Sequence, residues 1–143
     1  MPAKRPCIAF VCLGNSCRSQ MAEAWARHLA GDKVEAVSAG LRALGFITSE
    51  TRQVMNEKGI AMDGQRSKGL GEVDWGRVDV LVNMSGYPGS AINIPCHGRW
   101  LDWDIPDPYD EPADSFRRVR DLLEERVRAL LAEVAPAAVP RPR

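Results

Sequence analysis

The sequence predicts an α/β fold built on a mostly parallel sheet. Three observations carry that prediction. A continuous apolar run, Cys7 to Leu13, turns directly into a helical pattern. A second apolar run, Asp79 to Met84, recurs downstream. Strand and helix patterns alternate along the chain, as they do where helices cover a parallel sheet.

The first run, "CIAFVCL", carries β-branched and aromatic residues with no polar alternation, which suits a strand buried on both faces. In "RSQMAEAWARHLAG", Met21, Trp25 and Leu29 recur at i, i+4 and i+8 with Ala22 beside them. That is one helical face, and Gly31 supplies the stop. "KVEAVSAG" alternates from Lys33 to Val37 and ends at Gly40, predicting a second strand. "SETRQVMNEKG", Ser49 to Gly59, reads as a short helix with Val54 and Met55 on one side. "EVDWGRV" reads as another helix, just before the third strand at Asp79 to Met84. "AINIP" is the expected short fourth strand. "WLDWDIPDPYDEP" reads as a loop, broken by Pro106, Pro108 and Pro112. Phe116, Val119, Leu123, Val127, Leu130 and Val134 recur at steps of three and four. They predict a long amphipathic helix from about Asp114 to Val134. "PAAVPRPR", 136–143, is too Pro-rich to pack and is expected to be a disordered tail. With no repeat or linker, residues 1–143 read as a single domain.

The totals exclude several classes. The 19 Lys plus Arg balance 19 Asp plus Glu, so the chain has no basic footprint for nucleic acid. No apolar run reaches the roughly 18 residues of a membrane helix. The basic "MPAKRP" start lacks a signal-peptide core, so a cytoplasmic location with free thiols is expected. Cys7, Cys12, Cys17 and Cys96 form no C-x2-C pair, and His97 has no second ligand at metal spacing, so no metal is expected. His28 and His97 receive no role.

The chemistry concentrates in "VCLGNSCRSQ". In such a sheet, ligands bind at the carboxyl ends of the strands, and Cys12 lies at one. Leu13, Gly14, Asn15, Ser16, Cys17, Arg18 and Ser19 then turn into the helix. Small residues let successive N–H groups point inward as an anion nest, and the helix N-terminus adds its own donors. The Arg18 guanidinium can grip two oxygens of a tetrahedral oxyanion. Cysteines in such fields commonly have pKa values of roughly 3.5–7.5. A thiolate under a bound oxyanion is placed for in-line attack on the central atom. Ser19 can donate a hydrogen bond to the sulfur and ease its departure. The loop is not a Walker A, because G-x4-G-K-[ST] is absent.

The stretch "CLGNSCRSQMAE" resembles the signature of the low-molecular-weight protein tyrosine phosphatase superfamily, which includes arsenate reductases. "SAG" at Ser38 to Gly40 and "DP" at Asp107 and Pro108 are further marks, in the right order. The resemblance runs from about Ile8 to Val134. It implies a three-layer sandwich with a four-stranded parallel sheet flanked by helices. It implies Cys12 as nucleophile, Arg18 as oxyanion binder, and Ser38 supporting Asn15 of the loop. The acidic loop offers Asp102, Asp104, Asp107, Asp110, Glu111 and Asp114 as proton donors. The resemblance selects Asp107 as general acid. Trp100 and Trp103 are read as core or loop anchors.

Two chemistries remain open. Ser-Gln after Arg18, "GIAMDGQRSKGL" and "FRRVRDLL" resemble the reductase branch, as does a loop, "SAGLRALGF", whose one aromatic is Phe46. Arsenate reductase is therefore the first reading, with arsenate or phosphate as the small oxyanion. Tyr109 after "DP" resembles the phosphatases and keeps phosphotyrosine as an alternative substrate. Thioredoxin-coupled reductases carry two cysteines after the third strand, where this chain has Ser85 and, further on, Cys96. The second thiol is expected from Cys17, from Cys96, or from an external donor: thioredoxin, glutathione with glutaredoxin, or mycothiol. A non-catalytic oxyanion or thiol-redox sensor using the Cys12–Cys17 pair is the third reading.

Overall fold

The structure is a computed structural model that describes residues 5–138. Seven regular elements follow the chain: β1 (Cys7–Cys12), α1 (Arg18–Ala30), β2 (Glu35–Gly40), α2 (Ser49–Asn56), β3 (Val80–Asn83), β4 (Arg99–Asp102) and α3 (Ala113–Val134). The four strands form one parallel sheet in the order β2-β1-β3-β4. β1 is central and wholly buried, which is why it reads as an unbroken apolar run.

The pleat divides the core. Ile8, Phe10 and Cys12 face a cluster built from α1, α2 and α3, with Met21, Trp25, Met55, Phe116 and Leu123 buried in it. Cys7, Ala9 and Val11 face Trp75, Leu81, Ile94 and Cys96. That second face carries short 3-10 turns, Leu70–Glu72 and Trp75–Arg77, and an irregular stretch after β3. Among the described residues no helix is long and apolar enough to cross a membrane.

Two elements differ from expectation. "EVDWGRV" is not an α-helix but the pair of 3-10 turns just named, with Trp75 Nε1 donating to Leu70 O at 2.9 Å. Gly76 and the segment's brevity leave nothing to propagate a helix. The fourth strand is Arg99–Asp102, overlapping the start of the expected loop, not "AINIP". Ile92 and Ile94 pack on the second face, while Gly98 leads the chain against Asp79. A Cβ at Gly98 would stand 2.4 Å from Asp79 O, so only glycine permits that approach. As an edge strand with exposed ends, β4 carries no buried run for a sequence reading to detect. Of the expected tail, Pro136–Ala138 forms a 3-10 turn, and 139–143 lie outside the described residues.

Candidate active site

β1 ends at Cys12, β2 ends beside it at Gly40, and α1 starts at Arg18. The five residues between Cys12 and Arg18 make a tight loop. Asn15 takes a left-handed conformation (φ 48°), which asparagine tolerates. A Cβ at Gly40 would stand 2.8 Å from Leu13 O and 2.9 Å from Asn15 N. Glycine there lets the end of β2 lie against the loop, which is the physical content of "SAG".

The loop borders a cavity of about 280 Å³ lined by Cys12, Leu13, Gly14, Ser16, Cys17 and Arg18, with Arg42, Leu44, Asp107 and Tyr109 completing it. Cys12 is only 2% exposed at its floor. Its sulfur accepts the Asn15 backbone N–H at 3.3 Å and lies 2.9 Å from Ser19 Oγ. Arg18 is also buried; Nη1 donates to Met84 O at 2.6 Å and Ile105 O at 3.1 Å. Its second arm, Nη2, stands 3.5 Å from Asp107 Oδ2. Asp107 is half exposed, and its Oδ1 accepts the Tyr109 N–H at 3.1 Å. The Cys12 thiol, the Arg18 guanidinium and the Asp107 carboxylate therefore meet around one cavity.

The other candidates separate. Ser38 donates to Glu23 Oε1 at 2.6 Å, so its hydroxyl proton is not directed at Asn15. Asn15 Oδ1 is instead held by Gln20 Nε2 at 2.9 Å and the Lys68 N–H at 2.8 Å. The buried Glu23 carboxylate also accepts from Arg27 at 2.9 Å, with Lys68 Nζ at 3.9 Å. Burial pushes the Lys68 ammonium below its ordinary pKa, against the pull of Glu23. Cys17 lines the cavity, buried, with Sγ 3.6 Å from Thr48 Oγ1. Burial is the main cause holding its thiol above the ordinary pKa, although Thr48 opposes it. Cys96 is elsewhere. Its sulfur lies 3.9 Å from Val78 O, on the second face and before β3 begins. β3 reaches the active edge at Asn83, roughly 15–20 Å further along an extended chain. That removes Cys96 from reach of Cys12. Ser85 is buried and donates to Asn83 Oδ1 at 2.7 Å, closing the turn after β3. Among the described residues no group of three or more acidic, His or Cys side chains could hold a metal.

A sequence-family model described as low molecular weight phosphotyrosine protein phosphatase matches residues 7–139. The chain belongs to that family. Among the individual proteins it resembles are reductases and phosphatases. An "Arsenate reductase 2" of Bacillus cereus is 37% identical over 122 residues, 85% of this chain and 90% of that protein. A solved arsenate reductase in the phosphate binding state is 32% identical, covers 91% of this chain and 99% of its own, and has a TM-score of 0.80. Vibrio vulnificus Wzb in complex with benzylphosphonate shares the fold at 23% identity and a TM-score of 0.81, covering 91% of this chain and 99% of its own.

In this phosphatase-family chain, the residues that brace the loop from outside were not among those the sequence singled out. Gln20 is fully buried on α1, and Gln65, Ser67 and Lys68 come from "QRSK". The available signal was a polar residue, Gln20, beside the apolar face of Met21 and Trp25.

Proposed function

We propose that the protein is a thiol-dependent arsenate reductase. The observation that carries the reading is the cavity in which Cys12 forms the floor, Arg18 the grip and Asp107 the facing carboxyl. Its similarity to named arsenate reductases over nearly its whole length supports the choice of oxyanion.

Arsenate binds in the loop, with Arg18 Nη2 free to turn from Asp107 toward two of its oxygens. The Cys12 thiolate attacks arsenic, an As–O bond breaks, and Asp107 gives its proton to the departing oxygen, which leaves as water. A second thiolate then attacks Cys12 Sγ. The S–As bond breaks and its electron pair stays on arsenic, so As(V) becomes As(III) and leaves as arsenite. The two sulfurs are oxidised to a disulfide, which a further thiol reduces. Cys96 cannot be that second thiol. Cys17 is near but buried, and burial holds its thiol above the ordinary pKa, which makes it a slow attacking group at neutral pH. The second thiol therefore comes from solution, from a small thiol or a thiol-redox protein in a reducing, cytoplasmic setting.

A phosphatase reading draws on a different observation. Leu44 and Tyr109 form partly exposed apolar walls above Cys12, which suit an aryl phosphate. Assays on one preparation separate the two: arsenate reduction with thioredoxin, glutathione–glutaredoxin and mycothiol systems, and p-nitrophenyl phosphate hydrolysis. Reduction that dominates and vanishes in Cys12→Ser supports the proposal. Hydrolysis without reduction under any thiol system overturns it. Neither reduction nor hydrolysis by the wild type under any of these systems points to a sensor.

A further inference from the structure

We infer that Gln20 and Gln65 are positioning residues that orient the Ser19 hydroxyl toward Cys12. The inference rests on Cys12 being the reactive thiol but not on which oxyanion it attacks.

Four side-chain hydrogen bonds run in series. Gln65 Nε2 donates to Gln20 Oε1 at 2.9 Å. Gln20 Nε2 donates to Asn15 Oδ1 at 2.9 Å. Asn15 Nδ2 donates to Ser19 Oγ at 2.7 Å. Ser19 Oγ lies 2.9 Å from Cys12 Sγ. The direction of the last bond follows from the others. The Lys68 backbone N–H, which can only donate, reaches Asn15 Oδ1 at 2.8 Å. That identifies the oxygen of the Asn15 amide without ambiguity and turns its NH2 toward Ser19. Ser19 Oγ is then an acceptor on that side, and its own proton points at the sulfur.

Gln20 holds this sense from outside the loop. Its NH2 also reaches Asn15 O at 3.2 Å and Arg66 O at 2.9 Å, so every contact of that group is to an oxygen. Gln65 in turn donates to Gln20 Oε1 and to Gln20 O at 3.1 Å, which prevents the Gln20 amide from reversing. The chain is buried throughout, with Gln20 at 0% and Gln65 at 8% exposure, so solvent cannot replace a lost member. If Gln20 is removed, the Asn15 amide is held by Lys68 alone. Its reversal would turn the Ser19 proton onto Asn15 Oδ1 and away from Cys12.

The test is the rate of Cys12 alkylation by iodoacetamide at pH 6, read by peptide mapping. It needs neither arsenate nor an aryl phosphate, so it stands apart from the substrate question. Gln20→Met should slow alkylation about three- to fivefold, close to the effect of one hydrogen bond. The concentration of phosphate that half-protects Cys12 should stay within about twofold, because the anion-binding groups are untouched. In a Ser19→Ala background, Gln20→Met should slow alkylation no further, because its effect passes through the missing hydroxyl. Gln65→Met, which keeps Gln20 in place, should slow alkylation in the same direction and serves if Gln20→Met does not fold. An undiminished Gln20 effect without Ser19, or wild-type rates in both single variants, overturns the proposal.

Discussion

Replacing Arg18 by lysine separates charge from geometry at the site. The native side chain divides its work between two arms. Nη1 is committed to Met84 O and Ile105 O, and Nη2 reaches across the cavity to Asp107. A lysine ammonium keeps the charge but places all three donors on one atom. If it satisfies the two carbonyls, it cannot also present a parallel pair of bonds to an oxyanion. If it turns to the oxyanion, it leaves buried carbonyls unpaired. Losing two charge-assisted bonds in the transition state, at about 1.5–3 kcal/mol each, amounts to roughly 10²–10⁴ in turnover. Folding stability should fall much less, by about 0.5–1.5 kcal/mol for one weakened carbonyl bond. Phosphate should still bind, because the charge remains. The assay is kcat/KM alongside the urea midpoint and the phosphate inhibition constant. A loss below about fivefold would show that a single point charge suffices and that the fork is not used.

Asp107→Asn should lower turnover by about 10²–10⁴, and least for aryl phosphates with good leaving groups; equal losses across leaving groups would count against a proton-donor role. Peroxide should join Cys12 to Cys17, and because burial holds the Cys17 thiol above its ordinary 9.0, the bond should form faster as pH rises through that range. Peptide mapping after alkylation reads it, Cys96→Ser should not alter it, and a Cys12–Cys96 bond would contradict the placement of Cys96. Gly40→Ala drives a Cβ to within 2.9 Å of the Asn15 N, so the loop must shift. Its phosphate inhibition constant should rise by more than tenfold, at the few kcal/mol usual for overpacking, and unchanged phosphate binding would refute the contact.

Much of this architecture was legible because burial writes plainly. β1 and β3 are buried strands and read as apolar runs, and α3 shows its buried stripe at steps of three and four. Cys12 and Arg18 were legible as the two ends of one Cys-x5-Arg loop, whereas Asp107 stood out from five other acids of its loop only through the family resemblance. β4 was not, since an edge strand reading Arg99, Trp100, Leu101 and Asp102 shows neither alternation nor a long apolar run and looks like the loop around it. Nor was the bracing of Asn15. Gln20 and the Lys68 backbone N–H take the part expected of Ser38, and a backbone donor leaves no mark on a sequence. The remoteness of Cys96 depends on which face of the sheet a chain crosses, which is a property of the packed fold.

The unequal covering of the sheet has a consequence for how the molecule breathes. Long helices guard the face that holds Cys12, while 3-10 turns of three residues guard the face that holds Cys96. Short turns have few mutual hydrogen bonds to break, so amides around 70–78 should exchange with deuterium well before those of α1 and α3. Such openings would bare the back of β1 while the floor of the oxyanion loop stays closed. Transient damage and sequence drift can then accumulate on one side of the sheet without reaching the reactive sulfur on the other.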